Sequence, residues 1–281
     1  MITKVKVDEL VNFLNLEIKR KLEGKLDSAY IVGSYTQGKI SLVRPDINWL
    51  LVHKNPIQDE TRWELGEILT EAIDKFINDF VVRPELRPFK FSYPIKRGED
   101  VFVNVSIVTN ASSPDEFKHI NNFIPGYVFE GFKSTRSLIF GEDTLKDIDF
   151  QVTKKSVHDD AVNKLVSHKI QLDRVPLVYH MKKDTDLIFN ESLSHGKNLL
   201  YYGVELLMSD EELENKKYID IFSNSDLIID FYKNRLPDTL NYVKEIVSSK
   251  ANFDAWKGNP KKARGLYLTV SAFSKLLFRI I

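Results

Sequence analysis

The segment from residues 29 to 53 constrains the fold more than any other part of the sequence. It reads A-Y-I-V-G-S-Y-T-Q-G-K-I-S-L-V-R-P-D-I-N-W-L-L-V-H. The apolar or small residues of Ala29 to Val32 predict a short buried strand, which Gly33 and Ser34 end abruptly. A second apolar run, Trp49 to Val52, follows polar residues at alternate positions. We therefore expect two strands that are joined by a Gly-Ser turn and a loop.

Eleven residues separate Ser34 from Asp46, and Asn48 follows two positions later. The segment thus contains an apolar residue, Gly-Ser, a gap, and then a strand that begins with Asp, an apolar residue and a polar residue. This pattern resembles the signature of the DNA-polymerase-beta-like nucleotidyltransferase superfamily. Gly33, Ser34, Gly38 and Asp46 match that pattern. The family has a second acidic residue where this sequence has Asn48.

The resemblance implies transfer of a nucleoside monophosphate from an NTP to a hydroxyl acceptor. In such chemistry Mg²⁺ or Mn²⁺ neutralises the triphosphate and activates the attacking oxygen, and these hard cations prefer carboxylate ligands. Alternate residues of a strand share one face, so Asp46 and Asn48 are roughly 6.6 Å apart along it. The resemblance implies Asp46 as a catalytic metal ligand and Asn48 as a weaker, uncharged ligand.

The Gly-Ser turn is the predicted phosphate-binding element. The resemblance implies that Gly33, Ser34 and Gly38 hold the phosphates, and that a short helix begins within residues 35–38 and points its N-terminus at them. Arg44 lies two residues before Asp46 and is a further candidate for phosphate contact. An ordinary surface arginine is the alternative for Arg44.

A third carboxylate of the family comes from a neighbouring strand, which we place at residues 100–108, D-V-F-V-N-V-S-I-V. Its valines alternate onto the face that packs on helices. The opposite face carries Asn104 or Ser106 where the family has its acidic residue. Asp100 has the same parity but lies about 13 Å before Asn104 along an extended strand. Asp100 is thus a candidate metal ligand, or alternatively a turn residue.

These replacements leave three readings of the function. The first is an active, metal-dependent nucleotidyltransferase with Asp46, Asn48 and Asn104 in its site. The second is a catalytically inactive protein of the same fold that binds a nucleotide or a partner protein, because neutral ligands weaken a divalent-cation site. The third is an unrelated α/β protein in which Asp46 is simply solvated.

The rest of the first half alternates helical and strand patterns. An amphipathic helix is expected from Asp8, as its N-cap, to Leu22, with Gly24 as the stop signal. A wide apolar stripe predicts a second helix over residues 59–80, and strict alternation predicts a strand over residues 87–95. Residues 137–145 predict a late strand. The fold class is therefore α/β (α+β), a mixed sheet with flanking helices.

From about residue 150 helical stripes replace the strand patterns. We expect a nucleotidyltransferase-like domain over residues 1–150 and an α-helical bundle over residues 151–281. The basic segment Lys257 to Arg264 is expected as a loop, either on the solvated surface or in contact with phosphates or RNA. The apolar C-terminal tail is expected to pack into the bundle or to contribute to a homodimer.

Composition limits the partners. Lys and Arg total 40, as do Asp and Glu, so no overall basic field attracts long nucleic acid, and a nucleotide with a small-molecule or protein acceptor is expected instead. The sequence has no cysteine and its six histidines lack zinc-motif spacing. No long apolar run predicts a membrane span, and acidic residues near the N-terminus disfavour a signal peptide. A cytoplasmic protein is expected.

Overall fold

A computed structural model describes residues 2–42, 45–53, 59–87, 99–121, 124–150, 152–182, 184–215, 217–256 and 258–280. The chain divides into two compact units, Met1–Gln151 and Val152–Ile281. The first unit combines helices with a β-sheet, and the described residues of the second unit form helices and their connections.

The described residues of the first unit form five strands and four helices. In chain order they are α1 (Lys4–Leu22), β1 (Leu26–Val32), β2 (Asp46–His53), α2 (Asp59–Phe76), β3 (Val81–Arg87), β4 (Asp100–Thr109), α3 (Pro114–Ile120), α4 (Gly126–Thr135) and β5 (Ser137–Gly141).

The five strands form one mixed sheet in the order β3-β4-β2-β1-β5. The strand β4 runs parallel to both of its neighbours, β2 and β3. The strand β1 runs antiparallel to β2 and β5. The predicted fold class, a mixed α/β sheet with flanking helices, is confirmed.

Both faces of the sheet are covered by apolar side chains. On one face, Ile47, Trp49 and Leu51 of β2 pack in a core that also includes the apolar stripes of α1 and α2 and three valines of β4, Val101, Val103 and Val105. On the other face, Leu50 and Val52 join a smaller aromatic cluster with side chains of α3 and α4. Strands covered on both faces are apolar at nearly every position, so the polar residues that begin β2 depart from this pattern.

The first helix begins earlier than predicted. Thr3 caps it by accepting a hydrogen bond of 3.3 Å from the backbone N–H of Lys6. Asp8, the predicted N-cap, lies inside the helix, where its carboxylate accepts hydrogen bonds from Lys4 and Tyr35. The predicted boundary was wrong because Thr3 offers the same capping oxygen one turn earlier.

The helix predicted over residues 59–80 is four residues shorter, since α2 ends at Phe76. Phe80 is nevertheless buried, as its place in the predicted stripe required. The next strand is β3, which lies before the predicted strand over residues 87–95; residues 88–98 fall outside the described residues. Pro84 and charged neighbours obscure the strand pattern of β3, and proline is compatible with its position at the edge of the sheet.

The second unit contains eight helices in its described residues. They are α5 (Lys154–Lys182), α6 (Thr185–Leu207), α7 (Asp210–Glu214), α8 (Lys217–Ser223), α9 (Ser225–Arg235), α10 (Leu240–Ala251), α11 (Phe253–Trp256) and α12 (Pro260–Leu277). The helix α6 packs against α5, α10 and α12. The predicted helical character of this half is confirmed.

Two local features complete the second unit. The segment predicted as a basic loop is partly helical, because Asn259 caps α12 and Pro260 occupies its first turn; Lys257 lies outside the described residues. Across the described part of the chain, none of the helices has the length and apolar content that spanning a membrane requires.

Candidate active site

The sheet brings three of the predicted site residues together. In the parallel pairing of β2 with β4, Asp46 lies beside Phe102 and Asn48 lies beside Asn104. Side chains of paired residues point to the same face of a sheet. The side chains of Asp46, Asn48 and Asn104 therefore share one face, at the end of the sheet where β2 begins.

Asn104 joins the other two residues. Its Nδ2 group donates hydrogen bonds to Asp46 Oδ1 and, over 3.2 Å, to Asn48 Oδ1. The Asn104 side chain is only 2% exposed, whereas Asp46 and Asn48 are half-buried. The three polar groups thus form a connected cluster that opens to solvent on the side of β2.

The Gly-Ser turn adjoins this cluster. Val32 pairs with Asn48 in the antiparallel ladder, and Gly33 follows at once. Gly33 has a φ of +89°, and a Cβ atom at this position would lie 3.3 Å from Asn48 Nδ2. Glycine is required here both by the left-handed backbone and by the close approach of the amide.

Residues 34–38 form a hydrogen-bonded turn and not the short helix that the resemblance implied. The N–H of Gly38 donates to the carbonyl of Tyr35, and the N–H of Lys39 donates to that of Ser34. Gly38 has a φ of +69°, which closes the turn and prevents a helix from continuing. Ser34 and Gly38 are exposed, so both remain accessible to a ligand.

Two anchors hold the turn in place. The backbone N–H of Gly33 donates to Thr135 Oγ1 over 2.9 Å, and Thr36 Oγ1 donates to the carbonyls of Gly33 and Thr135. The hydroxyl of Tyr35 donates to Asp8 Oδ1 over 2.8 Å. Burial together with this carboxylate raises the pKa of Tyr35 to about 12. The turn is thus fastened to the end of α4 and to α1.

Asp100 occupies a different position from the cluster. It pairs with Val81 at the start of β4, two residues before the partner of Asp46. Its carboxylate is buried and forms an ion pair of 3.0 Å with Nε of Arg83. This ion pair supplies the compensation that a buried carboxylate needs, whereas the structure gives Asp100 no contact with Asp46 or Asn104 among the described residues. Arg44, the predicted phosphate contact, lies outside the described residues.

Asp46, Asn48 and Asn104 do not fit a pair of divalent cations in this arrangement. They supply one carboxylate, Asp46, together with two neutral amides. The amide hydrogens of Asn104 point at Asp46 and Asn48, into the space where a cation bound by these oxygens would lie. Among the residues the structure describes, no group of three or more His, Cys, Asp or Glu is placed to hold a metal ion.

Two residues near the site were not predicted from the sequence. Glu85 pairs with Asn104 in the parallel ladder of β3 and β4, so it extends the polar row onto the edge strand. Thr135 reaches Gly33 from the last turn of α4. No local sequence signal marks Thr135, and Glu85 lies in a strand whose pattern Pro84 obscures.

Comparison with known proteins finds solved structures that are similar to this chain. No protein-family model matches the chain, and no curated protein matches its sequence. A solved structure of a spectinomycin adenyltransferase from Enterococcus faecialis, with ATP and spectinomycin, is similar over 96% of this chain and 99% of that chain. The two are 14% identical in sequence, and the TM-score is 0.48.

Proposed function

We propose that this chain binds a nucleoside triphosphate at the Gly33–Gly38 turn and does not catalyse nucleotidyl transfer. The resemblance of the Gly33–Asn48 segment to the nucleotidyltransferase signature supports the choice of ligand. The composition of the Asp46, Asn48 and Asn104 cluster supports the absence of transfer. A single carboxylate stands where that chemistry uses several to hold its metal ions.

The turn offers the groups that a phosphate chain requires. Ser34 is exposed and carries a hydroxyl group directly after Gly33, and Lys39 adds an exposed ammonium group directly after Gly38. Successive backbone N–H groups of a glycine-containing turn form an anion-binding concavity. The N–H groups of Gly33, Gly38 and Lys39 already donate to other groups of the protein, so the backbone contacts with phosphate are assigned to residues 34–37.

The charge balance of the cluster is the observation that carries the proposal. Mg²⁺ and Mn²⁺ bound to a triphosphate are held in enzymes by carboxylates, since ligand charge as well as oxygen count determines affinity. Here Asn48 and Asn104 provide oxygen and nitrogen without negative charge. Should the chain bind such a metal, Asp46 would be its charged ligand and the metal would supply charge neutralisation of the triphosphate.

Calorimetry with ATP, GTP, CTP and UTP tests nucleotide binding, each with Mg²⁺, with Mn²⁺ and with EDTA. We expect one or more nucleotides to bind, and the binding to persist in EDTA. Ser34→Asp should abolish it, because a carboxylate at the turn repels phosphates. Ser167→Asp, at an exposed serine of α5, introduces the same charge in the other unit and should leave affinity unchanged.

Pyrophosphate release with Mg²⁺ or Mn²⁺ tests the second part of the proposal. We expect the same rate with and without protein, for each NTP. Release that depends on the protein and disappears in Asp46→Ala would contradict this expectation. That result would favour the alternative, an active metal-dependent nucleotidyltransferase. The supporting observation for it is that Asp46 lies two residues before Asn48, which pairs with Val32 at the start of the turn.

A further inference from the structure

The side chain of Asn104 is oriented by its neighbours. With Nδ2 toward β2, its hydrogens meet Asp46 Oδ1 and Asn48 Oδ1. The opposite orientation would bring Asn104 Oδ1 against the Asp46 carboxylate, so that two acceptors would face each other without a proton. Among the described residues, Asn104 Oδ1 is buried without a hydrogen-bond partner, so this orientation leaves one acceptor unsatisfied.

We propose that the Asn104 amide takes the place of a cation in this site. Its two N–H groups carry partial positive charge and lie between the two oxygen atoms that would otherwise be metal ligands. The inference rests on the proposed function where it concerns nucleotide binding. The statement that the site does not hold a divalent cation applies whether or not a nucleotide binds there. It follows that ligands bind to this site without a divalent metal.

The hydrogen-bond directions make the two asparagines unequal. Asn48 accepts through Oδ1, while Asn104 donates to both neighbours. In Asn48→Asp, the Asn104 amide still lies between two carboxylate groups and satisfies both. In Asn104→Asp, the donor disappears, and two carboxylates and one amide oxygen converge. Only the second change produces a set of oxygens that requires a cation.

The register of the sheet adds to this difference. Glu85 lies directly beside Asn104 on β3. The substitution Asn104→Asp therefore places carboxylates on β2, β4 and β3, on neighbouring strands and on one face. Asn48→Asp instead adds its charge next to Val32 of β1. The two variants have the same net charge and differ in which strand carries it.

Mn²⁺ titration without nucleotide, followed by the loss of the free-ion electron paramagnetic resonance signal, tests the inference. We expect the unmodified protein to bind Mn²⁺ with a Kd above about 1 mM, the weak end of protein sites. Asn104→Asp should bind at least about tenfold more tightly, because ligand charge increases affinity. Asn48→Asp should bind much less tightly than Asn104→Asp.

Asn110→Asp is the matched control. The Nδ2 group of Asn110 also donates to a carboxylate, Asp27 Oδ2, over 2.8 Å, and this pair lies at the other end of the sheet. The same chemical change there should not create Mn²⁺ binding. If Asn110→Asp gained as much affinity as Asn104→Asp, the effect would be one of added charge and the inference would fail.

If Asn104→Asp does not fold, Mn²⁺ binding by the unmodified protein still tests the inference. Submillimolar Mn²⁺ binding by the unmodified protein, lost in Asp46→Asn, would overturn the inference directly. So would equal gains in Asn48→Asp and Asn104→Asp. A failure of the proposed function is recognised separately, as the absence of nucleotide binding in calorimetry.

Discussion

The hydroxyl of Tyr35 donates a hydrogen bond of 2.8 Å to Asp8 Oδ1, and so connects the Gly-Ser turn to the first helix. Asp8 also accepts from Lys4, and this hydrogen bond is the main cause that lowers the pKa of Asp8. The turn is therefore positioned by a residue 27 places earlier in the chain. A change at Tyr35 should affect both stability and the arrangement of the turn.

Tyr35→Phe removes this hydrogen bond and should lower the free energy of unfolding by about 1 kcal/mol, the usual contribution of one such bond. Urea denaturation measures the change. The variant Asp8→Ala, which removes the acceptor, and the double variant complete a cycle that isolates the coupling between the two side chains. Fully additive effects in that cycle would show that the bond does not stabilise the protein.

Alanine substitutions at Gly33 and Gly24 distinguish the effect of backbone strain on stability from the effect of the candidate site on nucleotide binding. Both have a φ near +90°, but a Cβ atom at Gly24 would meet none of the described residues within 4 Å, whereas one at Gly33 would approach Asn48. Replacement by alanine should cost about 1–2 kcal/mol of stability at either position. Only Gly33→Ala should also weaken nucleotide binding in calorimetry. Equal affinities in the two variants would place the ligand elsewhere.

Packing in the helical unit depends on a glycine of α6. A Cβ atom at Gly203 would lie 2.2 Å from the hydroxyl oxygen of Tyr232, which is buried and donates to the carbonyl of Leu200. Gly203→Ala should therefore lower stability by about 1–3 kcal/mol through overpacking. Gly265→Ala is the control, since Gly265 lies in α12 with open space around it. It should be neutral or stabilising by about 0.5–1 kcal/mol.

Acid should destabilise the first unit through His53. Burial, with a smaller effect from Arg62, lowers the pKa of His53 below its usual value. The unfolded chain therefore takes up a proton more readily than the folded protein. The contribution of His53 to the stability of the folded protein is therefore fully present above about pH 6.5. It decreases as the pH falls from there through the pKa that His53 has in the folded state.

Replacing His53 by phenylalanine should reduce this pH dependence. We expect the free energy of unfolding of the unmodified protein to decrease between pH 7 and pH 5 more than that of His53→Phe. Urea denaturation at several pH values in this range measures both slopes. Identical slopes would mean that His53 does not take part in the acid response.

Local patterns in the sequence determined the elements of this protein. Alternation predicted the strand over residues 100–108, which the structure extends by one residue to Thr109. The glycine and the apolar run before it predicted the end of β1 and the turn at Gly33. Such features depend on neighbouring residues alone, since side-chain period and backbone preference act within a few positions.

Only the tertiary structure decided which polar groups meet. Asn104 lies 58 residues after Asp46, and their hydrogen bond depends on the parallel register of β2 and β4. The pairing of Asp100 with Arg83 and the place of Glu85 beside Asn104 depend on the register of β3. Strand order and register follow from the burial of both sheet faces together, and a shift by one residue would turn each of these side chains to the other face. The sequence thus determined which strand residues are polar, and the assembled sheet determined that Asn104, and not Ser106, contacts Asp46.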